Sequence, residues 1–105
     1  MATEAQITPQ NTWYEHLISQ RVRKAIMASI LSREDASSIE DIINDETVPF
    51  FYGLILYHLK ILVAHGILAR HRAFKDSRNW VYYVVSSEEL QATLQRMFPD
   101  AFQEQ

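Results

Sequence analysis

Apolar residues recur at intervals of three and four through the segment FYGLILYHLKILVAHGIL, which spans residues 51–68. This spacing places side chains along one side of an α-helix, and we predict a helix over residues 50–65. The stripe that this helix would bury comprises Phe51, Ile55, Leu59 and Leu62. Gly66 follows where a helix C-terminal cap needs a positive φ, which glycine adopts without steric cost. The pattern therefore indicates an amphipathic helix with a tight stop.

Two strand-like segments follow this helix, over residues 67–73 and 80–85. The polar stretch between them, residues 74–79, predicts a hairpin loop. The second segment, WVYYVV, is apolar on both faces, so we expect one face to pack on the helices and the other to be partly exposed. Together the two segments predict a β-hairpin over residues 67–85.

Four more helices are expected around this unit. Their predicted positions are residues 12–19, 21–31, 37–44 and 87–98. Thr12–Glu15 and Ser37–Glu40 have the capping-box form that starts a helix. Ser86–Glu89 would cap the last helix, and Pro99 would end it.

The whole chain is expected to form a single domain over residues 1–105, with residues 1–10 as a loose lead-in. It contains no repeat and no low-complexity linker that would divide it. The predicted fold class is mainly α with a β-hairpin, in the order α-α-α-α-β-β-α.

The formal net charge of −3 is unevenly distributed along the chain. Residues 1–49 and 86–105 are both acidic overall, whereas residues 50–85 carry five Lys or Arg against one Asp. Because local potential determines where a polyanion docks, the positive segment is the candidate nucleic-acid-binding surface. A solvated basic hairpin without a partner is the alternative interpretation.

Composition excludes several kinds of chemistry. The chain has no cysteine, which rules out disulfides, thiolate metal sites and thiol nucleophiles. It has only two glycines, no Gly-rich phosphate loop and no Ser-His-Asp order, so we expect neither an enzyme nor a cofactor. His58 and His65 lie about two helical turns, or roughly 10 Å, apart, too far to share one ion within a chain. We therefore expect no metal site.

The N-terminus and the apolar segments predict a cytoplasmic location and no membrane partner. Residues 1–10 lack the positive charge and the apolar core of a signal peptide. No apolar run reaches the roughly 18 residues that a membrane span requires.

A specific resemblance lies in residues 57–68, YHLKILVAHGIL. This segment resembles the HLK-x-L-x-x-x-G-[LI]-[LV] signature of ArsR-type winged helix-turn-helix regulators. The basic ribbon ending in Val81–Val85, and the helix after it, are similar to the second wing strand and the last helix of the same family. The resemblance covers residues 20–98. It implies a homodimer, paired through its first and last helices, that binds double-stranded operator DNA and represses transcription.

The resemblance also implies roles for individual residues. The helix over residues 50–65 would enter the major groove, and the hairpin over residues 67–85 would be the wing. Positions facing the bases would be Tyr52, Gly53, Leu56, Tyr57 and Lys60. Contacts to phosphates or to the minor groove would come from Arg70, Arg72, Lys75 and Arg78. His58 matches a histidine to which the family gives a structural role.

The terminal helices, residues 12–19 and 87–98, would form the dimer interface. They carry more apolar side chains than a small core needs, and a two-fold protein fits paired half-sites in DNA. The residues predicted at that interface are Trp13, Tyr14, Leu17, Leu90, Leu94, Met97 and Phe98.

The expected recognition face departs from the family pattern. Leu56 stands where a small hydroxyl residue is usual, and the face offers few of the polar side chains that recognise base edges. Two functions follow: a regulator that recognises DNA through shape and phosphates, and a winged-helix module or subunit that docks a protein partner through this apolar face. A regulator with a small-molecule pocket at the dimer seam is a third, weaker interpretation.

Overall fold

Five α-helices and three short strands make up the part of the chain that the computed structural model describes, residues 9–72 and 79–102. In chain order the elements are α1 (Pro9–Ile18), α2 (Arg21–Leu31), β1 (Ala36–Ser38), α3 (Ile39–Ile43), α4 (Tyr52–Ala64), β2 (Leu68–Arg72), β3 (Trp80–Val84), α5 (Glu88–Met97) and a 3₁₀ helix (Pro99–Phe102). The predicted helix-rich fold with a β-hairpin is confirmed. Most of the predicted hairpin loop, and most of the predicted lead-in, lies outside the described residues.

The three strands form an antiparallel sheet in the order β1-β3-β2. Leu68 pairs with Val84, Arg70 with Tyr82 and Arg72 with Trp80, whereas β1 pairs Ser37 with Tyr82. Directly paired residues project from the same face of a sheet. One face therefore carries Ser37, Leu68, Arg70, Arg72, Trp80, Tyr82 and Val84.

The sequence does not predict strand β1, because its pattern indicates only a polar break before a capping box. Three residues, Ala-Ser-Ser, are too few to show an alternating pattern. The chain reverses ahead of the strand through Glu34 and Asp35, whose φ angles are +64° and +71°. The carbonyl of Asp35 then accepts a hydrogen bond of 3.0 Å from the amide of Val84. Pairing with β3, which is distant in sequence, therefore creates this strand.

Two helices begin at other residues than the predicted capping boxes indicate. Helix α1 begins at Pro9, so Thr12 lies inside it rather than at its start. The cap of α3 lies one residue later than predicted, because Ser38 accepts from the amide of Asp41 while the Asp41 carboxylate accepts from the amide of Ser38, both at 3.1 Å. The predicted cap of the last helix is confirmed, since the Ser87 side chain accepts from the amide of Leu90.

The core is apolar and draws on every helix. Its fully buried side chains include Ile18, Ile26, Met27, Ile30, Ile42, Ile55, Leu59, Leu62, Ile67, Leu90 and Leu94. Three of the four residues predicted for the stripe of α4 are among them, but Phe51 is 71% exposed. Phe51 is the N-cap of α4 and has an extended backbone, so the helical periodicity does not apply to its side chain.

The predicted C-terminal cap at Gly66 is confirmed, and its hydrogen bonds form a Schellman motif. Gly66 has a φ of +75° and donates to the carbonyl of Val63 at 3.1 Å. The next amide, that of Ile67, donates to the carbonyl of Leu62 at 3.0 Å. The motif turns the chain directly from the end of α4 into β2.

A polar network fixes the segment between α3 and α4. One carboxylate oxygen of Asp45 accepts from the Ser29 hydroxyl at 2.6 Å and from the Arg33 guanidinium at 2.9 Å. The other accepts from the amide and the hydroxyl of Thr47 at 2.8 and 2.6 Å. These hydrogen bonds lower the pKa of Asp45 well below its usual range, that from Ser29 contributing most. The network joins α2 to the turn before α4.

Within the described ranges, residues 9–72 and 79–102, no helix combines the length and the apolar character needed to cross a lipid bilayer.

The two glycines form a matched pair for testing the Schellman motif. A Cβ at residue 66 would meet nothing within 4 Å, so the cost of Gly66→Ala lies in the positive φ alone, about 1–2 kcal/mol. A Cβ at residue 53 would lie 3.2 Å from the exposed Phe51 ring, which has room to move. Urea denaturation should show Gly66→Ala clearly destabilised and Gly53→Ala neutral or slightly stabilised. Equal effects at both sites would contradict this account.

Loss of the Asp45 charge should destabilise the fold in a pH-dependent way. Asp45→Asn should lower the free energy of unfolding by about 2 kcal/mol at neutral pH. Because folding lowers the pKa of Asp45 from its ordinary 3.8, the stabilisation is present above that pH and is lost as pH falls below it. The difference in the free energy of unfolding between the wild type and Asp45→Asn should therefore become smaller in acid. Glu46→Gln, at the exposed neighbouring residue, is the control. A difference in the free energy of unfolding between the wild type and Asp45→Asn that does not change with pH would contradict the prediction.

Candidate nucleic-acid interface

The outer side of α4 carries all five residues predicted to face bases. Tyr52 and Tyr57 are 54% and 59% exposed, and Gly53 and Lys60 are also exposed. Leu56 is half-buried. The opposite side of the helix is fully buried in the core, so these five residues form one surface with a fixed orientation.

The sheet carries two of the predicted wing cations, Arg70 and Arg72, on the same face as Trp80. Their guanidinium carbons lie 4.2 and 5.3 Å from the centre of the Trp80 ring. Such cation–π stacking reduces the rotamer freedom of an arginine and leaves its N–H groups available to an anion. The other two predicted wing residues, Lys75 and Arg78, lie outside the described residues.

The sequence does not identify Trp80 as a site residue. Its role depends on the strand register, which pairs it with Arg72. The length of the predicted hairpin loop does not by itself define that register. The only available signal is the alternation of the strand WVYYV, in which Trp80 and the buried Tyr82 fall on one face.

A shallow groove between α4 and β2 joins the two halves of the site. It has a volume of about 210 Å³ and is lined by Lys60, Val63, Ala64, Arg70 and Tyr82. The cation of the helix and the first cation of the hairpin therefore face the same space. We call Lys60, Arg70 and Arg72 the basic surface.

The charges of the basic surface are not neutralised within the described part of the chain. The ion pairs formed there are Arg33–Asp45, at 2.9 Å, and Arg96–Glu15, at 2.8 Å. Neither involves a residue of the basic surface. No described carboxylate therefore offsets its positive potential, and positive potential of this kind attracts polyanions.

His58 anchors α4 from within. It is 6% exposed, and its Nδ1 lies 3.0 Å from the guanidinium of Arg23, which also donates to the carbonyl of Leu17. Burial and the positive charge of Arg23 both lower the pKa of His58 and so favour the neutral ring, and because arginine can only donate, Nδ1 is the acceptor. Arg23 thus connects α1, α2 and α4. The exposed Tyr57 ring contacts the His58 ring edge to face at 5.1 Å, so the anchor also positions part of the outer surface.

The residues predicted at a dimer interface divide into two groups. Tyr14, Leu17, Leu90 and Leu94 are buried in the core of a single copy, where α1 packs against α5. Trp13 is 48% exposed, and Met97 and Phe98 are partly buried. Met97 and Phe98 also line a second groove, of about 560 Å³, between α2 and the 3₁₀ helix. Only these three of the seven side chains have surface left for a second copy.

No group of three or more His, Asp or Glu side chains is arranged to hold a metal ion within the residues that the structure describes.

Comparison of the chain with protein-family models, with curated proteins and with solved structures found no match. Function is therefore inferred from the geometry of the chain itself.

The His58 anchor should make stability sensitive to mild acid. A histidine whose pKa is lowered on folding stabilises the fold fully above its ordinary value of 6.5, and that stability is lost as pH falls below it. We expect the thermal midpoint of the wild type to fall on acidification from pH 7. His58→Gln, which retains a neutral acceptor for Arg23, should show a smaller fall. The exposed His71 gives the control, His71→Gln, which should behave as wild type; an equal fall in all three proteins would contradict the role of His58.

Proposed function

We propose that this protein is a winged helix-turn-helix regulator that binds double-stranded DNA, with α4 in the major groove and the β2–β3 hairpin as the wing. The observation that carries the proposal is the groove shared by Lys60 and Arg70. A helix and a hairpin that present positive charge to one space fit the phosphate backbone on either side of a DNA groove.

The arrangement of the elements supports this proposal. Helix α3 precedes α4 along the chain, in the order expected of a helix-turn-helix, and the Asp45 network ties the segment between the two helices to Ser29 of α2 and to Arg33. Strand β1 joins the hairpin in one sheet, which ties the hairpin to the helical core. Such a sheet holds the hairpin beside α4 and thereby allows both to contact one duplex.

The electrostatics favour a nucleic acid over a neutral partner. The rest of the chain is acidic, so non-specific attraction to a polyanion would be confined to the basic surface. The Trp80 ring holds the two arginines without consuming their hydrogen-bond donors. Exposed arginines held in this way suit contacts to phosphate oxygens.

We further propose that the protein acts as a cytoplasmic homodimer and represses transcription. Two copies related by a two-fold axis would place two α4 helices on symmetric half-sites. Trp13, Met97 and Phe98, near the two ends of the chain, offer the apolar surface for such pairing.

A second candidate function is docking of a protein partner through α4. The observation that favours it is the exposure of three aromatic rings within the first two turns of the helix: Phe51, Tyr52 and Tyr57, which are 71%, 54% and 59% exposed. Exposed apolar patches of this kind occur at protein interfaces. The alternative gives no role to Arg70 and Arg72, which form no ion pair with a described carboxylate, so we favour DNA.

Removal of the hairpin arginines should test the proposal. Arg70→Ala and Arg72→Ala should each weaken binding to any duplex and reduce the slope of log K against log salt by about 1, because each arginine contacts a phosphate. Arg96→Ala provides a charge-matched control, since Arg96 pairs with Glu15 on the terminal helices. Fluorescence anisotropy with a labelled duplex over a range of salt concentrations measures both quantities.

Unchanged affinity and slope in Arg70→Ala and Arg72→Ala would rule out the wing role. Loss of a defined protein partner on Leu56→Asp, together with no retention on heparin, would favour the docking function.

A further inference from the structure

Apart from Lys60, the outer side of α4 lacks the side chains that recognise guanine, adenine and cytosine by paired hydrogen bonds. Arginine or lysine pairs with guanine, asparagine or glutamine with adenine, and aspartate or glutamate with cytosine. The outer residues here are Tyr52, Gly53, Leu56, Tyr57, Lys60 and Ala64. Lysine is the one member of that polar set, and Lys60 lines the groove with Arg70, which places it beside the hairpin cations.

Leu56 is not part of the apolar core that the described residues form. The buried cluster and the partly buried side chains packed against it include Leu54, Ile61 and Val63 of the same helix, but not Leu56. Its side chain is half-buried, on the side of α4 that also carries Lys60 one turn later. Part of the apolar surface of Leu56 therefore remains exposed beside Lys60.

One feature of the major groove suits such a surface. The C5 methyl group of thymine is the only apolar group on a base edge there, and apolar side chains recognise it by contact. Tyr57, the next residue in sequence on the outer side, contacts the His58 ring and adds a second apolar surface. Gly53, one turn before Tyr57, allows the helix backbone to approach the bases closely.

We propose that Leu56, with Tyr57 beside it, selects thymine-containing sites by contacting thymine methyl groups in the major groove. This inference rests on the proposed DNA-binding function and assigns its sequence preference to apolar contact rather than to hydrogen bonds. The basic surface supplies affinity for any duplex, and the apolar residues supply the preference.

The test changes the methyl groups of the DNA and leaves the protein intact. The probes are a duplex of A·T pairs only, and the same duplex with every thymine replaced by uracil, which removes the methyl group alone. A second pair compares a duplex of G·C pairs with its 5-methylcytosine form, which adds a methyl group at the same edge. We expect uracil to weaken binding by about fourfold for each methyl group that leaves the interface, and 5-methylcytosine to strengthen it. The salt slope should stay constant within each pair, because no phosphate contact changes.

Variants of Leu56 assign the effect to this residue. Leu56→Ala should abolish most of the difference between the thymine and uracil duplexes, whereas Leu56→Met, which conserves volume, should retain it. Thermal melting of each variant verifies that the fold is intact.

The outcomes separate the two proposals. Equal affinity for the thymine and uracil duplexes, with a steep salt slope, would overturn methyl recognition and leave DNA binding standing. A thymine preference that persists in Leu56→Ala would overturn the role of Leu56. Absence of binding to all four duplexes would overturn both proposals and would favour a protein partner for this face.

Discussion

Burial of the inner side of α4 is the constraint on which the rest of the structure depends. Ile55, Leu59 and Leu62 are fully buried. On the same side of the helix, His58 accepts a hydrogen bond from the guanidinium of Arg23. Apolar burial supplies most of the stabilisation but is non-directional, whereas the histidine contact selects one rotation of the helix. Because the core holds the inner side of α4, the helix cannot rotate about its axis, and its outer side stays exposed to solvent.

The register of β2 against β3 is the second constraint, and it acts through a single sheet face. That face is buried at one end, where Leu68 and Tyr82 join the core, and exposed at the other, where the two arginines lie over Trp80. A shift of one residue would move the arginines to the opposite face. The pairing of β2 with β3 therefore completes the core and also places Arg70 at the groove beside Lys60.

The charged residues and the apolar residues occupy different parts of the candidate site. The basic surface lies where helix and hairpin meet, and the uncharged residues extend toward the start of α4. A polyanion that docks on the charged part would bring its other groups against the apolar part. This division explains how a face with one lysine and no other charged side chain is compatible with a DNA-binding proposal.

Local chemistry determined much of this protein from sequence alone. The period of α4, the positive φ of Gly66, the hairpin and the confinement of positive charge to residues 50–85 all follow from neighbouring residues. Tertiary structure alone decided the strand β1, the exposure of Phe51, the stacking of arginines on Trp80 and the burial of Leu90 in its own chain. These features depend on pairing and packing between residues distant in sequence, and periodicity within one segment carries no information about such partners.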